Sequence, residues 1–209
     1  MDLARRRDSF ASALTSLRLR ALRGEFTPGQ TVIVIEEARR LRVSPTPIRE
    51  ALACLCGEGL FERSPSEGFL YPRLDVALIR DRLKFRLKLL LISLEAPAAG
   101  SVRPVPVAHG APVTVLPQHL AKTVRAEGNV ALYEAYRRVA GQLAPLRQAE
   151  RRVLGDVEGE ASNLLALFAA GDVAACSEAV TAYHRRRADA APRLLLDVEG
   201  EPIVSPGKG

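Results

Sequence analysis

Between Ile48 and Leu55 the apolar residues Ile48, Ala51, Leu52 and Leu55 recur at helical spacing and fall on one face, which leaves Arg49 and Glu50 pointing outward. Ser44 stands at the N-cap position of this helix, where it is expected to cap free amide groups. Pro45 and Pro47 follow where missing N–H groups cost least. The pattern predicts a helix over Pro45–Gly57, closed by Gly57 and Gly59. Upstream, Phe10, Leu14, Leu17, Ala21 and Leu22 form a stripe that predicts a first helix from Phe10 to Arg23, with Gly24 as its C-cap. Thr27-Pro28-Gly29 is a turn signal, Val32–Ile35 is a β-branched run, and a second helix is expected at about Val34–Leu41. Downstream, Leu60–Arg63 and Phe69–Tyr71 read as two strands joined by a turn through Ser64–Gly68. Three helices and a hairpin in this order predict a winged helix-turn-helix whose third helix enters a major groove.

After Pro72 the strand signals stop. Val76–Leu94 predicts a helix that is apolar on more than one side, as a sandwiched or interface helix would be. Pro97, Pro104, Pro106, Pro112 and Pro117 prevent 96–117 from being one long helix. Further helices are expected at Gln118–Glu127, Val130–Leu143, Arg147–Leu167 and Val173–Ala190, the last capped by Asp172. The expected fold class is mainly α. It comprises a winged helix-turn-helix over residues 1–74, an all-helical bundle for effector binding and dimerisation over 75–196, and a mobile tail over 197–209.

Composition narrows the function classes. With 209 residues, 47% of them hydrophobic, the chain can bury a substantial core, yet it has no apolar run of the ~18 residues that span a bilayer. The arginine-rich start lacks the apolar segment of a signal peptide, so a soluble cytoplasmic protein is expected. Cys54, Cys56 and Cys176 are read as small buried apolar residues, since Cys54 and Cys56 diverge on a helix and cannot clamp a metal. The net charge of +6 is modest, but Arg5, Arg6, Arg7, Arg18, Arg20, Arg23, Arg39, Arg40, Arg42 and Arg49 all lie in the first quarter. A guanidinium can grip a phosphate with two hydrogen bonds, so the N-terminal region is the expected polyanion surface.

From Leu14 to Pro72 the chain resembles the GntR family of bacterial transcription regulators. The resemblance rests on Gly24-Glu25, Pro28-Gly29, Ala38, Leu41, Val43-Ser44, Thr46-Pro47-Ile48-Arg49-Glu50-Ala51-Leu52, Glu58-Gly59-Leu60 and Gly68, all in one register. It implies a homodimer on double-stranded DNA, with Ser44, Thr46 and Arg49 at phosphates and base edges and the Gly68 backbone near the minor groove. Arg49 is the base-reading candidate, because its guanidinium matches the O6 and N7 acceptors of guanine. Arg39 and Arg40 complete the DNA-contacting set. The sequence departs from the family pattern at four places. Pro45 replaces a second arginine, and Arg42 replaces a turn glycine and would have to turn left-handed. Glu37 replaces a core leucine, where an unpaired carboxylate would be costly, and Glu67 sets a negative charge before the wing glycine.

The second half resembles the helical effector domain of the FadR branch, through Lys84-Phe85-Arg86, Glu127-Gly128-Asn129 and Phe168-Ala169-Ala170-Gly171-Asp172. The resemblance implies a divalent metal held by one Asp and three His, and a small carboxylate effector. The corresponding ligand positions carry Leu116, Leu120, Ala161 and Tyr183, so no metal and no cofactor are expected. His119 and His184 each stand one residue away, ~100° round a helix, and His109 lies in the proline-rich segment. Arg86, Asn129 and Tyr183 are the candidate effector contacts. Either the pocket is remodelled or the effector domain is degenerate. No serine elbow, phosphate loop or Cys/His cluster is present, which argues against an enzyme. The expected function is a DNA-binding transcription regulator. Its rival is a winged-helix interaction dimer with weak or lost DNA binding.

Overall fold

A computed structural model describes residues 2–64, 68–95 and 110–200, with side chains from residue 7 onward. Helices α1 (Asp2–Leu22), α2 (Val34–Leu41) and α3 (Pro45–Gly57) precede the strands β2 (Glu62–Arg63) and β3 (Phe69–Leu70). Both α2 and α3 have the predicted limits. Helix α1 begins eight residues before Phe10, because the Ala, Leu and Arg residues of its first turns are strong helix formers whether or not they show an apolar stripe. A strand that the periodicity does not announce, β1 (Thr31–Val32), pairs antiparallel with β3, setting Thr31 opposite Leu70 and Val32 opposite Phe69. With β2 on the other side of β3, the wing is a three-stranded sheet in the order β1-β3-β2. Helix α1 packs along α3, and Ala13, Leu17, Ala21, Ile48, Ala51, Leu52 and Leu55 are fully enclosed between them. Phe26, Phe61 and Tyr71 close the base of this core as an aromatic trio, with ring centroids 5.0–5.7 Å apart. The Tyr71 hydroxyl donates to the Ala21 carbonyl at 3.1 Å and so ties the wing's exit to the end of α1.

The remaining helices are α4 (Val76–Glu95), α5 (Pro112–Ala126), α6 (Val130–Gln142), α7 (Leu146–Val153), α8 (Val157–Ala170), α9 (Val173–Asp189) and α10 (Ala191–Gly200). Helix α4 is sandwiched as its two-sided pattern predicts, with α5, α6, α9 and α10 packed around it. The expected break in 96–117 falls partly outside the described residues, as do Pro97, Pro104, Pro106 and His109. Helix α5 nevertheless begins at Pro112, six residues before Gln118, and runs through Pro117. Pro112 sits at the helix start, where its missing N–H costs nothing. The burial of Val115, Leu116, His119 and Leu120 outweighs the bond that Pro117 forfeits, a loss of about 3 kcal/mol.

Instead of one helix over Arg147–Leu167 there are two. Leu154 turns extended and Asp156 takes φ 51°, ψ 42°, from where its carboxylate accepts from the Gly159 amide at 3.1 Å and starts α8. Asp172 caps α9 as expected, accepting from the Ala175 amide at 3.0 Å. Helix α10 carries residues 197–200, where the tail was expected to begin, and Asp197 pairs with Arg152 of α7 at 2.5 Å while Leu194 is fully buried. Residues 201–209 lie outside the described part. Cys54 is exposed and Cys56 half-exposed, so only Cys176 is the buried apolar cysteine expected of all three. The fully enclosed face of α3 is taken by Ala51, Leu52 and Leu55, which turns position 54 to solvent.

The enclosed apolar side chains form two clusters, one from Ala13 to Tyr71 and one from Leu74 to Leu194. They meet across a narrow seam built on glycine. A Cβ at Gly141 of α6 would stand 2.8 Å from Leu60 Cδ2 and 3.2 Å from Leu22 Cδ2, so the two bodies touch only because position 141 has no side chain. Gln142 donates to the Gly59 carbonyl at 3.2 Å, and Arg147 donates to the Leu22 carbonyl at 3.3 Å, where the free carbonyls of α1 end.

Candidate nucleic-acid interface

The N-terminal half of α3 is buried on one side and open on the other. Pro47 and Ile48 face the core, while Ser44, Thr46 and Arg49 are exposed. Ser44 has the extended backbone of an N-cap (φ −70°, ψ 162°), but its hydroxyl makes no capping bond, contrary to expectation. Pro47 at the third helical position has no N–H, which leaves the Thr46 amide as the one usual capping donor, and the hydroxyl does not take it. The Ser44 hydroxyl is therefore not committed to the helix start. Arg49 has no ion-pair partner among the described residues.

Arg42 adopts the left-handed conformation its position demands, φ 54°, ψ 41°. The following Val43 amide donates to the Ala38 carbonyl at 3.0 Å, which closes α2 and sets the tight turn into α3. A non-glycine residue here costs about 1–2 kcal/mol, and it leaves the exposed Arg42 side chain beside Ser44. Arg39 is exposed on α2. Arg40 is exposed but already paired: its guanidinium donates to Glu37 Oε2 at 2.8 and 3.0 Å, with a long contact of 3.4 Å to Ser16 Oγ.

Glu37 is the buried carboxylate foreseen as costly, and it is not unpaired. Arg20 of α1 meets both its oxygens, at 2.7 and 2.8 Å, and Arg40 takes the other side. Arg20 also bonds Glu25 at 2.9 Å and lies 4.4 Å over the Phe26 ring, while Arg18 pairs with Glu58, the residue that caps α3. Much of the basic first quarter is thus internal scaffolding. Arg39, Arg42 and Arg49 remain outward, joined by the exposed Arg63 on β2, whose guanidinium lies 5.5 Å from the ring centroid of the buried Phe69. Arg63 was not singled out from sequence. Its signal was a basic residue in the strand leading into the wing turn.

Gly68 accepts from the Ser64 amide at 3.0 Å, and a Cβ there would meet only Thr31 Cγ2 at 3.7 Å. Its φ is not left-handed, so what the glycine provides is an uncovered backbone at the wing. Glu67 lies outside the described residues.

The bundle's interior holds a second polar assembly. Arg187, 2% exposed, donates to Glu150 of α7 at 2.8 Å, stands 2.9 Å from Glu160 of α8, and bonds the Tyr183 carbonyl at 3.0 Å. Its guanidinium lies 3.3 Å over the Tyr183 ring. Arg86 Nε donates to His184 Nε2 at 3.0 Å, and His184 Nδ1 stands 2.6 Å from the Val180 carbonyl, so the imidazole is neutral with its proton on Nδ1. Arg86 Nη2 is buried without a partner, and the guanidinium is 5.9 Å from the Tyr183 ring. Burial pushes the neighbouring Tyr136 phenol up to about 12. Arg86 and Tyr183 are therefore brought together. Asn129 stands apart from them as the exposed cap of α6, its side chain accepting from the Leu132 amide at 3.1 Å.

These residues do not fit a divalent metal. Leu116, Leu120 and Ala161 are buried and offer no donor, Tyr183 lies under a guanidinium, and no group of three metal-ligating side chains occurs among the described residues. His119 packs edge-on against Phe168 at 4.9 Å with its Nδ1 unpartnered, and His184 is spent on Arg86.

Acid stability should register these two histidines. Burial, reinforced by Arg86 and then Arg187, holds His184 well below its ordinary value of 6.5, and burial with Lys122 lowers His119. Each stays neutral when folded but takes a proton when unfolded below pH ~6.5. Stability is therefore level above that pH with respect to these two groups and falls below it, with His184 as the larger contributor at up to about 1.4 kcal/mol per pH unit. Urea titrations at pH 7.0 and 5.5 should show this loss, and His184→Gln should remove the larger part of it. An unchanged midpoint in the wild type would contradict the assignment.

A three-helix winged module carried on an all-helical bundle is the fold of GntR-type transcription regulators. Among solved structures, a transcriptional regulator GntR from Rhodococcus sp. RHA1 superposes with a TM-score of 0.69 at 17% identity, over 89% of this chain and 97% of that one. McbR/YncC of E. coli gives 0.66 at 16% identity, over 88% and 97%. Lar, which controls expression of the agr system in Listeria monocytogenes, gives 0.50 at 12%, over 88% and 97%. No protein-family model and no curated protein matches the chain. No described helix is long and apolar enough to cross a membrane.

Proposed function

We propose that the chain is a sequence-specific DNA-binding transcription regulator of the GntR type, cytoplasmic and without enzymatic activity. It acts as a homodimer, with residues 1–74 as the reading module and 75–196 as the effector and dimerisation module. The observation that carries this reading is the open N-terminal face of α3: Ser44, Thr46 and Arg49 are exposed, and the Ser44 hydroxyl is not used by the helix. Arg39, Arg42 and Arg63 flank it as phosphate contacts. The effector reading rests on Arg86, whose Nη2 is buried and unpartnered beside Tyr183. A small carboxylate is the ligand whose charge and geometry suit that guanidinium without a metal. Such a ligand would regulate by binding one arrangement of the two reading modules more tightly than another.

The capture of Arg20 and Arg40 by Glu37, and of Arg18 by Glu58, favours a second reading, a winged-helix interaction dimer with little grip on phosphate. Selection of bound fragments from host genomic DNA separates the two. A regulator enriches a pseudo-palindromic site, and its affinity falls steeply with salt. A folded protein that enriches nothing over random DNA is not a regulator.

A further inference from the structure

We infer that the groove between α4 and α6 is a binding site for a small zwitterion with a bulky apolar side chain, the chemistry of an α-amino acid such as leucine or phenylalanine. The groove has a volume of about 490 Å³ and opens beside the junction with the winged module. That volume lies within the roughly 300–1,000 Å³ of small-molecule sites. Its floor is apolar, made by Phe85 of α4 and by Ala131, Ala135 and Val139 of α6. The Phe85 ring is 47% exposed at the edge of this floor, so an apolar side chain laid there removes surface from water on both partners.

Charge sets what the rest of the ligand must carry. Arg82 is half-buried where the groove meets the seam, and it makes no hydrogen bond or ion pair among the described residues. Burial disfavours its charge, and the carboxylates of Glu62 on β2 and of Asp75 offset this only through their field. A desolvated guanidinium without a partner calls for an anion, and a carboxylate matches its fork. An anion alone would meet Asp81 and Glu134, which border the same groove, while Arg138 brings the four charges to zero. Glu134 and Arg138 also lack a hydrogen bond or ion pair among the described residues, and Asp81 holds only Lys84, at 3.9 Å. A ligand with one carboxylate and one ammonium group answers both signs. A phosphate, a nucleic acid or an anionic lipid surface answers one and is repelled by the other.

The site is distinct from the carboxylate site at Arg86. That residue stands one turn further along α4 and is turned to His184 of α9. Arg82 and Gln142 instead border both the groove and the narrow crevice against Gly59, Leu60 and Tyr71, and Gln142 donates to the Gly59 carbonyl at 3.2 Å. A ligand held by Arg82 therefore bears on the side chains that seat the winged module.

Isothermal titration calorimetry on the full chain tests the site without DNA, so its outcome is independent of the regulator reading. L-phenylalanine and L-leucine are the probes, each expected to bind with a dissociation constant on the order of 0.1–1 mM. Three analogues separate the demands: 3-phenylpropionate lacks the amine, phenethylamine lacks the carboxylate, and glycine lacks the side chain. Each should bind at least ~10-fold more weakly than L-phenylalanine, and Arg82→Gln should cost a similar factor. Ala131 is exposed, so Ala131→Trp should keep the helix content seen by circular dichroism while filling the groove and abolishing binding. Should Arg82→Gln not fold, Ala131→Trp and the analogue series decide the question. No binding of either amino acid, analogues that bind as well as L-phenylalanine, or binding that survives the groove variants would overturn the inference.

Discussion

Arg187→Ala is expected to destabilise the bundle by about 3–5 kcal/mol, the loss found when one partner of a buried ion pair is removed. The guanidinium is enclosed by α7, α8 and α9, and its removal takes the shared cation from two carboxylates, Glu150 at 14% and Glu160 at 18% side-chain exposure. It also removes the cation over Tyr183 and leaves the Tyr183 carbonyl without its donor. Glu160 keeps Arg186 at 3.3 Å, so the penalty belongs chiefly to the orphaned Glu150 and to the weakened pairing of Glu160 rather than to the lost attraction. Arg187→Met combined with Glu150→Gln and Glu160→Gln should therefore recover most of it. Urea unfolding followed by circular dichroism reads both. Equal losses in the single and triple variants would show that packing, not uncompensated charge, is responsible. Since the interior cation is a guanidinium, neither a chelator nor added zinc should move the wild-type midpoint.

Arg49→Ala should weaken binding to the selected DNA site by roughly 10- to 100-fold, corresponding to the ~1–3 kcal/mol of one bidentate base contact, and should relax preference at a single base pair. Arg39→Ala should behave differently. Loss of a phosphate contact weakens all sequences alike and lowers the salt slope by about one, without changing preference. Arg49→Lys retains the charge and loses the fork, so it should fall with the alanine variant on specificity and nearer the wild type on salt dependence. Fluorescence anisotropy on matched and single-mismatch duplexes at several salt concentrations distinguishes these patterns. An Arg49→Ala protein that reads the site as well as the wild type would mean that α3 is not the reading element.

Local signals carried the reading module. The limits of α2 and α3 were legible because Pro45, Gly57 and Gly59 act over one turn, and Arg42 was recognisable as a left-handed position because it stands where the resembled family has a turn glycine. Strand β1 was not, because two residues have no periodicity and their pairing with Phe69 and Leu70 depends on chain 37 or more residues away. Gly155-Asp156 could have been read as a helix break, since Asp156 carries the capping carboxylate. It was obscured by helix-forming residues on both sides. The interior assembly was the least legible. Glu150, Glu160 and Arg187 each look like solvated helix residues in a linear sequence, and only the packing of three helices turns them into one buried network. Glu37 shows the same limit. The residue type predicted a burial problem, and Arg20, seventeen positions upstream, supplied the answer.

The seam at Gly141 bears on how such a chain could be re-engineered. Exchange of N-terminal modules between proteins of this fold is an obvious route to new specificity, but here the junction is not an inert linker. Leu22 and Leu60 of the winged module rest where a single methyl group on α6 would stand. A chimera that keeps this bundle must import a module whose surface tolerates that approach. One that keeps this winged module must find a glycine at the matching turn of its new host. Module swaps made at the covalent joint alone would join two folded bodies that no longer fit.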